Sequence, residues 1–434
     1  MLSASEFNRN RWIEITPARL GIAPLIAALL FALQEIAHGP MEWTPHGILA
    51  FWLAFVTLIT TLWGSKLSVE SLSDEVNQGS WVFQKMAGLS AWEMSLGKLL
   101  GSTLYVWYCY GILFIPYAAT VALYEPMKWH LWALAYVGVG MVGLCTQACG
   151  LVFCLWSLRH QGNPRARLRP QFYLLAVFVA WWVVGAFTSH ILDTEIRIKW
   201  HGWSIPLFGY DWGLICYATF WSLLGCWRLM RRELQQQNTP LWWLAFMLAL
   251  PFIIDISNPF FMLYLLFGGF SALDLLSSPA NLIPLRQTIR YARLHQVKAF
   301  LIHAPLWFWG ALLMFPLSFI VLLPHPPLDG KLGLALLAGT LFFYRDIAVV
   351  LLIKTSTSRK PVLLIFVYFV LAYLLLPPLL NLSGAKVLAQ LFLPIPGTGV
   401  PVGIPLAASF VQAGFALFWF VRNRPALFAK SVNS

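Results

Sequence analysis

Few stretches of this 434-residue chain hold residues that could do chemistry. The most pointed is SDEVNQGSWVFQKMAGLSAWEMSLGKLL, residues 73–100, polar and periodic between two long apolar runs. Ser90 and Glu93 have the S-x-x-E spacing by which a helix start satisfies its own backbone donors, the serine hydroxyl accepting at N3 and the glutamate reaching back. Gly79 and Gly88 bracket Ser80 to Ala87, and glycine turns a chain out of a helix with the least strain. The spacing predicts a short helix over 80–87, with Val82, Phe83, Met86 and Leu89 on one side and Gln84 and Lys85 on the other. The next long helix then starts at Ser90. A short, rigid element with an apolar face suits docking; an amphipathic turn resting on lipid headgroups shows the same pattern.

A second constellation is Arg345 and Asp346, inside an apolar run. Charges at that depth are costly and often functional. Adjacent helical residues point about 100° apart, so each is expected to need a partner on another helix, either beside a translocation pathway or as a pair that fixes helix packing. Asp255 and Asp274 fall at the ends of apolar runs, Asp211 begins one and Glu35 ends one, positions that suit capping. Cys145 and Cys149 share a helix face at i, i+4, but no His or carboxylate stands beside them, so packing is expected and no metal site. None of the six cysteines is placed for an extracellular disulfide framework. The nine histidines are scattered without an H-E-x-x-H. Gly97-Lys98 lacks both the upstream glycine and the following hydroxyl of a phosphate-cradling loop. No catalytic residue is expected.

The elements that position these residues are membrane helices. With 59% hydrophobic and 11% charged residues and a mean hydropathy of +0.71, the chain cannot cover a soluble globule with polar surface. About twenty apolar residues cross a bilayer as a helix. Twelve such segments fall near 18–37, 46–64, 99–123, 130–157, 172–191, 208–229, 240–255, 258–276, 299–323, 332–354, 361–381 and 403–421. The seventh and eighth are separated only by residues 255–257 and could instead form a hairpin. Residues 1–17, mixing Glu6, Arg9, Arg11 and Glu14 with Phe7, Trp12, Ile13 and Ile15, read as an interfacial amphipathic helix rather than a signal peptide. If the amino terminus is cytoplasmic, 23 of the 29 Lys and Arg fall on cytoplasmic segments. That bias follows the positive-inside rule, so the net charge of +12 reports topology and not nucleic-acid binding.

The expected class is therefore an all-α polytopic protein of the cytoplasmic (inner) membrane, with about twelve spans and both termini cytoplasmic. It is organised as an interfacial helix over 1–17, a six-span half over 18–230 with a cytoplasmic loop at 65–98, a second half over 240–421 and a tail over 422–434. WSIPLFG (203–209) and FLPIPGTG (392–399) occupy matching outer positions. Each is expected either to dip into the membrane without crossing or to be an ordinary surface loop.

Over residues 5–125 the chain resembles the membrane-spanning permeases of type-2 ABC exporters. Their first cytoplasmic loop reads as Glu, three residues, Gly-Thr, an apolar run, a Pro-Leu-Ser-like corner, then an acidic residue and Gly-Lys-Leu. The matching residues are Glu75, Gly79, Ser80, Leu89, Ser90, Glu93, Gly97, Lys98 and Leu99. Ser80 stands for the usual Thr and Gly88 where Pro is common. The resemblance implies that the 73–100 loop couples to a separate ATP-binding subunit, in two copies, through Glu75, Gly79, Ser80, Val82, Phe83, Met86, Gly88, Leu89, Ser90, Glu93 and Lys98. It also implies that ATP and Mg sit on that partner, none being bound by this chain, which is then a transport subunit and not an enzyme. Twelve spans are twice the family's usual six per chain, so either the two halves form one pore or a second permease chain is needed. The second half's matching loop, 277–300, has Pro279 and a basic face but no Glu-x-x-x-Gly-[ST]. It is either a degenerate coupling loop or a basic juxtamembrane loop. Two other classes stay open: a secondary transporter driven by an ion gradient, for which Asp346 is the one central carboxylate, and a membrane enzyme.

Overall fold

The computed structural model describes residues 14–41, 44–160, 173–192, 196–253, 259–278, 283–322, 330–356, 360–393, 401 and 403–424. Residues 1–13 of the expected interfacial helix, Asp255, Pro279 and most of FLPIPGTG and of the tail lie outside these residues. The chain divides into two compact units, Met1–Asn238 and Thr239–Ser434. Among the described residues eight helices are long and apolar enough to cross a membrane, or nine if one bent pair counts as a single span, which marks a multi-pass membrane protein.

In the first unit α1 (Pro17–Met41) precedes α2 (Pro45–Asn77). Thr44 caps α2 by accepting from the Gly47 amide at 3.2 Å, and Pro45 sits where its missing N–H costs nothing. Near its middle α2 widens into a π-helical turn, Leu58–Trp63. Such a turn releases backbone carbonyls that lipid cannot satisfy. Gln147 donates to one of them, Thr60 O, at 2.9 Å. Gln147 lies on α6 (Trp129–His160), reached through α3 (Trp81–Met86), α4 (Ala91–Leu96) and α5 (Leu104–Tyr124). α6 presses close on α2 because Gly143 and Gly150 face Thr60 and Val69; a Cβ at Gly143 would sit 2.6 Å from the Thr60 Cβ. Between α5 and α6 the Tyr110 hydroxyl donates to Tyr136 O at 2.9 Å and Tyr117 to Trp132 O at 2.8 Å.

α7 (Tyr173–Leu192) is followed by strands β1 (Arg197–Trp200) and β2 (Trp203–Pro206), then α8 (Leu207–Glu233). The WSIPLFG segment is thus not a re-entrant loop. Its first four residues pair antiparallel with β1, Trp200 opposite Trp203, and the rest opens α8. The two-residue turn between the strands, His201 and Gly202, takes positive φ at both positions, which matches the strand twist of a tight hairpin. Asp211, near the start of α8, holds the His190 ring at 2.5 Å.

The second unit contains α9 (Leu241–Ile253), α10 (Pro259–Ser277), α11 (Ile283–Arg293), α12 (Val297–His303), α13 (Leu306–Leu322), α14 (Gly330–Lys354), α15 (Pro361–Leu382), α16 (Lys386–Ala389) and α17 (Gly403–Asn423). α9 has 13 residues, about 20 Å at ~1.5 Å per residue, short of the ~30 Å hydrocarbon core. The segment expected at 299–323 is broken: α12 and α13 meet at 106° across Ala304 and Pro305. Pro305 supplies no N–H to continue α12, and Asp274 caps the new start by accepting from the Trp307 amide at 3.1 Å. Lys354 Nζ gathers carbonyls at the end of α10, donating to Leu276 at 2.9 Å and, just past the helix, to Ser278 at 2.7 Å.

α10 and α13 touch at Gly310, where a Cβ would lie 2.9 Å from the Phe267 carbonyl oxygen and would collide with the Ser271 hydroxyl. A backbone atom cannot step aside as a flexible side chain does. Gly310→Ala is therefore expected to destabilise the second unit by about 1–3 kcal/mol, the usual effect of overpacking, measured as a lowered unfolding midpoint in one detergent.

Candidate functional site

α3 has six residues, too few to hold a helix in isolation. What holds it is its surroundings. Gly79 (φ 79°) and Gly88 (φ 68°) both occupy the left-handed region that favours glycine, and they make the two corners. After the second corner Ser90 and Glu93 form the expected reciprocal cap, Glu93 N–H donating to Ser90 Oγ at 3.2 Å and Ser90 N–H to Glu93 Oε2 at 2.9 Å. The helix starting there is not continuous: a π-helical turn at Gly97–Gly101 and non-helical Thr103 separate α4 from α5.

Side chains then fasten α3 to three helix ends. Glu75, in the last turn of α2, is ion-paired with Lys98 and accepts from the Gln84 amide of α3 at 2.5 Å. Ser80 Oγ donates to the Glu75 carbonyl at 3.2 Å. Lys98 is fully buried and stands 5.3 Å from the centre of the Trp81 ring. Lys85 lies 5.5 Å from the same ring and pairs at 2.8 Å with Glu233, at the end of α8. Beside this contact Trp92 of α4 stacks on Trp227 of α8 at 5.7 Å, and the Arg231 guanidinium lies 5.0 Å from the Trp227 ring. Trp81 is buried in a cluster with Val69, Leu72, Met94 and Leu99, against which Leu89 packs.

Leu89 therefore belongs to the interior and not, as its spacing suggested, to the face of Val82, Phe83 and Met86. Those three remain 54%, 75% and 77% exposed. The result is an apolar knob on an ionic base, in which the Glu75–Lys98 pair is buried and the Lys85–Glu233 pair partly exposed. Trp81, Trp92, Trp227 and Glu233 were not anticipated, and Gln84 was expected only on the polar side of the helix; Trp81 could have been found, since it falls opposite Phe83 on a helical wheel.

The second constellation is a closed polar knot between α14, α15 and α17. Arg345 and Asp346 are each 7% exposed. Contrary to expectation they bond directly, because the guanidinium folds back to donate Nε–H and Nη2–H to Asp346 Oδ1 at 2.9 and 2.8 Å. Each also has the interhelical partners it was expected to need. Arg345 donates to Gln412 Oε1 at 2.6 Å and to the Tyr373 hydroxyl at 2.7 Å, and Asp346 accepts from the Tyr368 and Tyr373 hydroxyls. Tyr373 lies on a π-helical turn of α15, Val370–Leu375.

Neither constellation presents a nucleophile with a base. Among the described residues no group of three His, Cys, Asp or Glu could hold a metal ion. Cys145 and Cys149, the metal-capable spacing, are free thiols. The first site is an exposed apolar face tied to helix ends by ion pairs, and the second is a polar knot that joins three helices. No family model matches the chain, and no curated protein or solved structure matches it.

Proposed function

We propose that the chain is the permease of an ATP-driven exporter of the cytoplasmic membrane, with the 73–100 loop on the cytoplasmic side. A separate ATP-binding subunit, in two copies and carrying ATP and Mg, docks on the 73–100 loop. The single observation that carries this is the exposed Val82, Phe83 and Met86 face of α3, set on a base tied by Glu75–Lys98 and Lys85–Glu233 to the ends of α2 and α8 and the start of the third span. An amphipathic turn that merely rests on lipid needs no such base, whereas a lever does. The resemblance of the loop to exporter permeases supplies the partner's identity. Whether the two halves make one pore or a second permease chain joins them is decided by the stoichiometry of the assembly. The ion-driven alternative is weaker, because Asp346 already accepts from Arg345, Tyr368 and Tyr373.

The experiment is mass spectrometry of whatever copurifies with the tagged chain from native membranes in a mild detergent. A P-loop ATPase at one or two copies per chain is the expected companion; its absence, while other membrane complexes survive the same extraction, overturns the proposal.

A further inference from the structure

The hairpin of α11 and α12 is used by neither constellation. Four basic residues, Arg286, Arg290, Arg293 and Lys298, fall within 283–303 without one carboxylate. At ~100° per residue the three arginines lie within about 60° of each other on α11, and Ile283 and Leu294 fall beside Arg290, about 20° and 40° away. All five are exposed. The opposite face is spoken for: Thr288 is buried and its hydroxyl reaches the His303 carbonyl at 3.3 Å, while the Tyr291 ring contacts the His303 ring at 4.8 Å. The hairpin corner is His295 at φ 55°, with the Gln296 amide closing back on Tyr291 O at 3.0 Å, a left-handed helix stop.

The bend fixes how this hairpin lies. α12 leaves α13 at 106°, so when α13 crosses along the bilayer normal, α12 runs within about 16° of the membrane plane. Phe300 packs on Trp309 at 5.6 Å and on Phe308 at 6.0 Å, which holds that corner. Val297, next to Lys298, is 67% exposed. An α12 near the membrane plane, with α11 packed back on it and showing arginines with apolar residues alongside and no acid within 283–303, has the chemistry of an interfacial anchor: apolar side chains enter the acyl boundary while guanidinium groups hold phosphates.

We propose that residues 283–303 form an in-plane hairpin that binds anionic lipid headgroups of the bilayer in which the chain sits, through Arg286, Arg290 and Arg293. The inference is independent of the exporter reading. A protein cleft is the other surface that a basic amphipathic helix can meet, but the exposed face of α11 carries three arginines, whereas α3 presents Val82, Phe83 and Met86 beside a single Lys85 that is already paired with Glu233. Each basic side chain at an anionic surface contributes roughly fivefold in affinity, so removing three removes at least tenfold.

The test uses the full chain in lipid nanodiscs of phosphatidylcholine alone or mixed equally with phosphatidylglycerol. Native mass spectrometry of the retained lipid is expected to show phosphatidylglycerol preferred at least tenfold, and Arg286→Gln, Arg290→Gln, Arg293→Gln together to abolish the preference without moving the unfolding midpoint in phosphatidylcholine. An unchanged preference in the triple variant overturns the proposal. A second readout needs no loss of charge: a fluorophore on Leu294→Cys, with the native cysteines replaced, is expected to be quenched by lipids brominated on their tails. A label that stays in water in both discs, or is shielded only when a soluble protein is added, overturns it as well.

Discussion

Asp346→Leu is expected to lower the stability of the second unit by about 3–5 kcal/mol, because it strands a guanidinium that is 7% exposed. Two Nη/Nε donors then lose their carboxylate, and the Tyr368 and Tyr373 hydroxyls lose their acceptor. The double variant Arg345→Leu, Asp346→Leu removes both charges and is expected to cost less than Asp346→Leu alone, since a neutral apolar pair often replaces a buried ion pair without loss. The check is a double-mutant cycle on thermal unfolding in a single detergent. A double variant as damaged as the sum of the singles would show that the two residues act separately, and the knot would then not be a lock.

The second large effect falls on docking and leaves the fold alone. Phe83→Asp with Met86→Asp changes two side chains that are 75% and 77% exposed, so unfolding should shift by less than about 0.5 kcal/mol. If the pair anchors an ATPase cleft, each loss is worth about 2 kcal/mol, roughly thirtyfold in affinity. The expected result is loss of the copurified ATPase from a normally folded chain. Glu75→Lys is a different experiment. Glu75 lies beneath the knob, where it is paired with Lys98, so reversing its charge should damage the loop itself as well as docking.

Much of the first site was legible because it depends on local chemistry. Gly79, Gly88, Ser90 and Glu93 announce two corners and a cap through rules that need no tertiary contact, and the backbone adopts them. The apolar face of α3 was legible from spacing alone. The base was not: Lys98 pairs back to Glu75 across 23 positions and Lys85 reaches Glu233 across 148, and no periodicity encodes which helix ends converge. Leu89 was misassigned for a related reason, since Gly88 turns the chain and carries it to the other side.

In the second unit, charge inside an apolar run pointed to Arg345 and Asp346, but the adjacent pairing was missed because a long guanidinium bridges the 100° between neighbours. Membrane helices were legible as a class, eight or nine of the described helices being long and apolar enough to cross, while the number of crossings was not. α9 is too short and the ninth segment bends at Pro305, where Asp274 and the proline act together. β1 and β2 were overlooked because W-S-I-P was taken for a broken apolar loop, when His201-Gly202 was a hairpin turn signal.

The most direct measurement of the central claim is photo-crosslinking in living cells from a benzophenone amino acid placed at Met86, the most exposed apolar position of α3. Transfer of the label to a P-loop ATPase, absent when the probe is moved to buried Trp81, is the predicted result. Crosslinks to lipid alone from position 86 would contradict it and make α3 an interfacial turn.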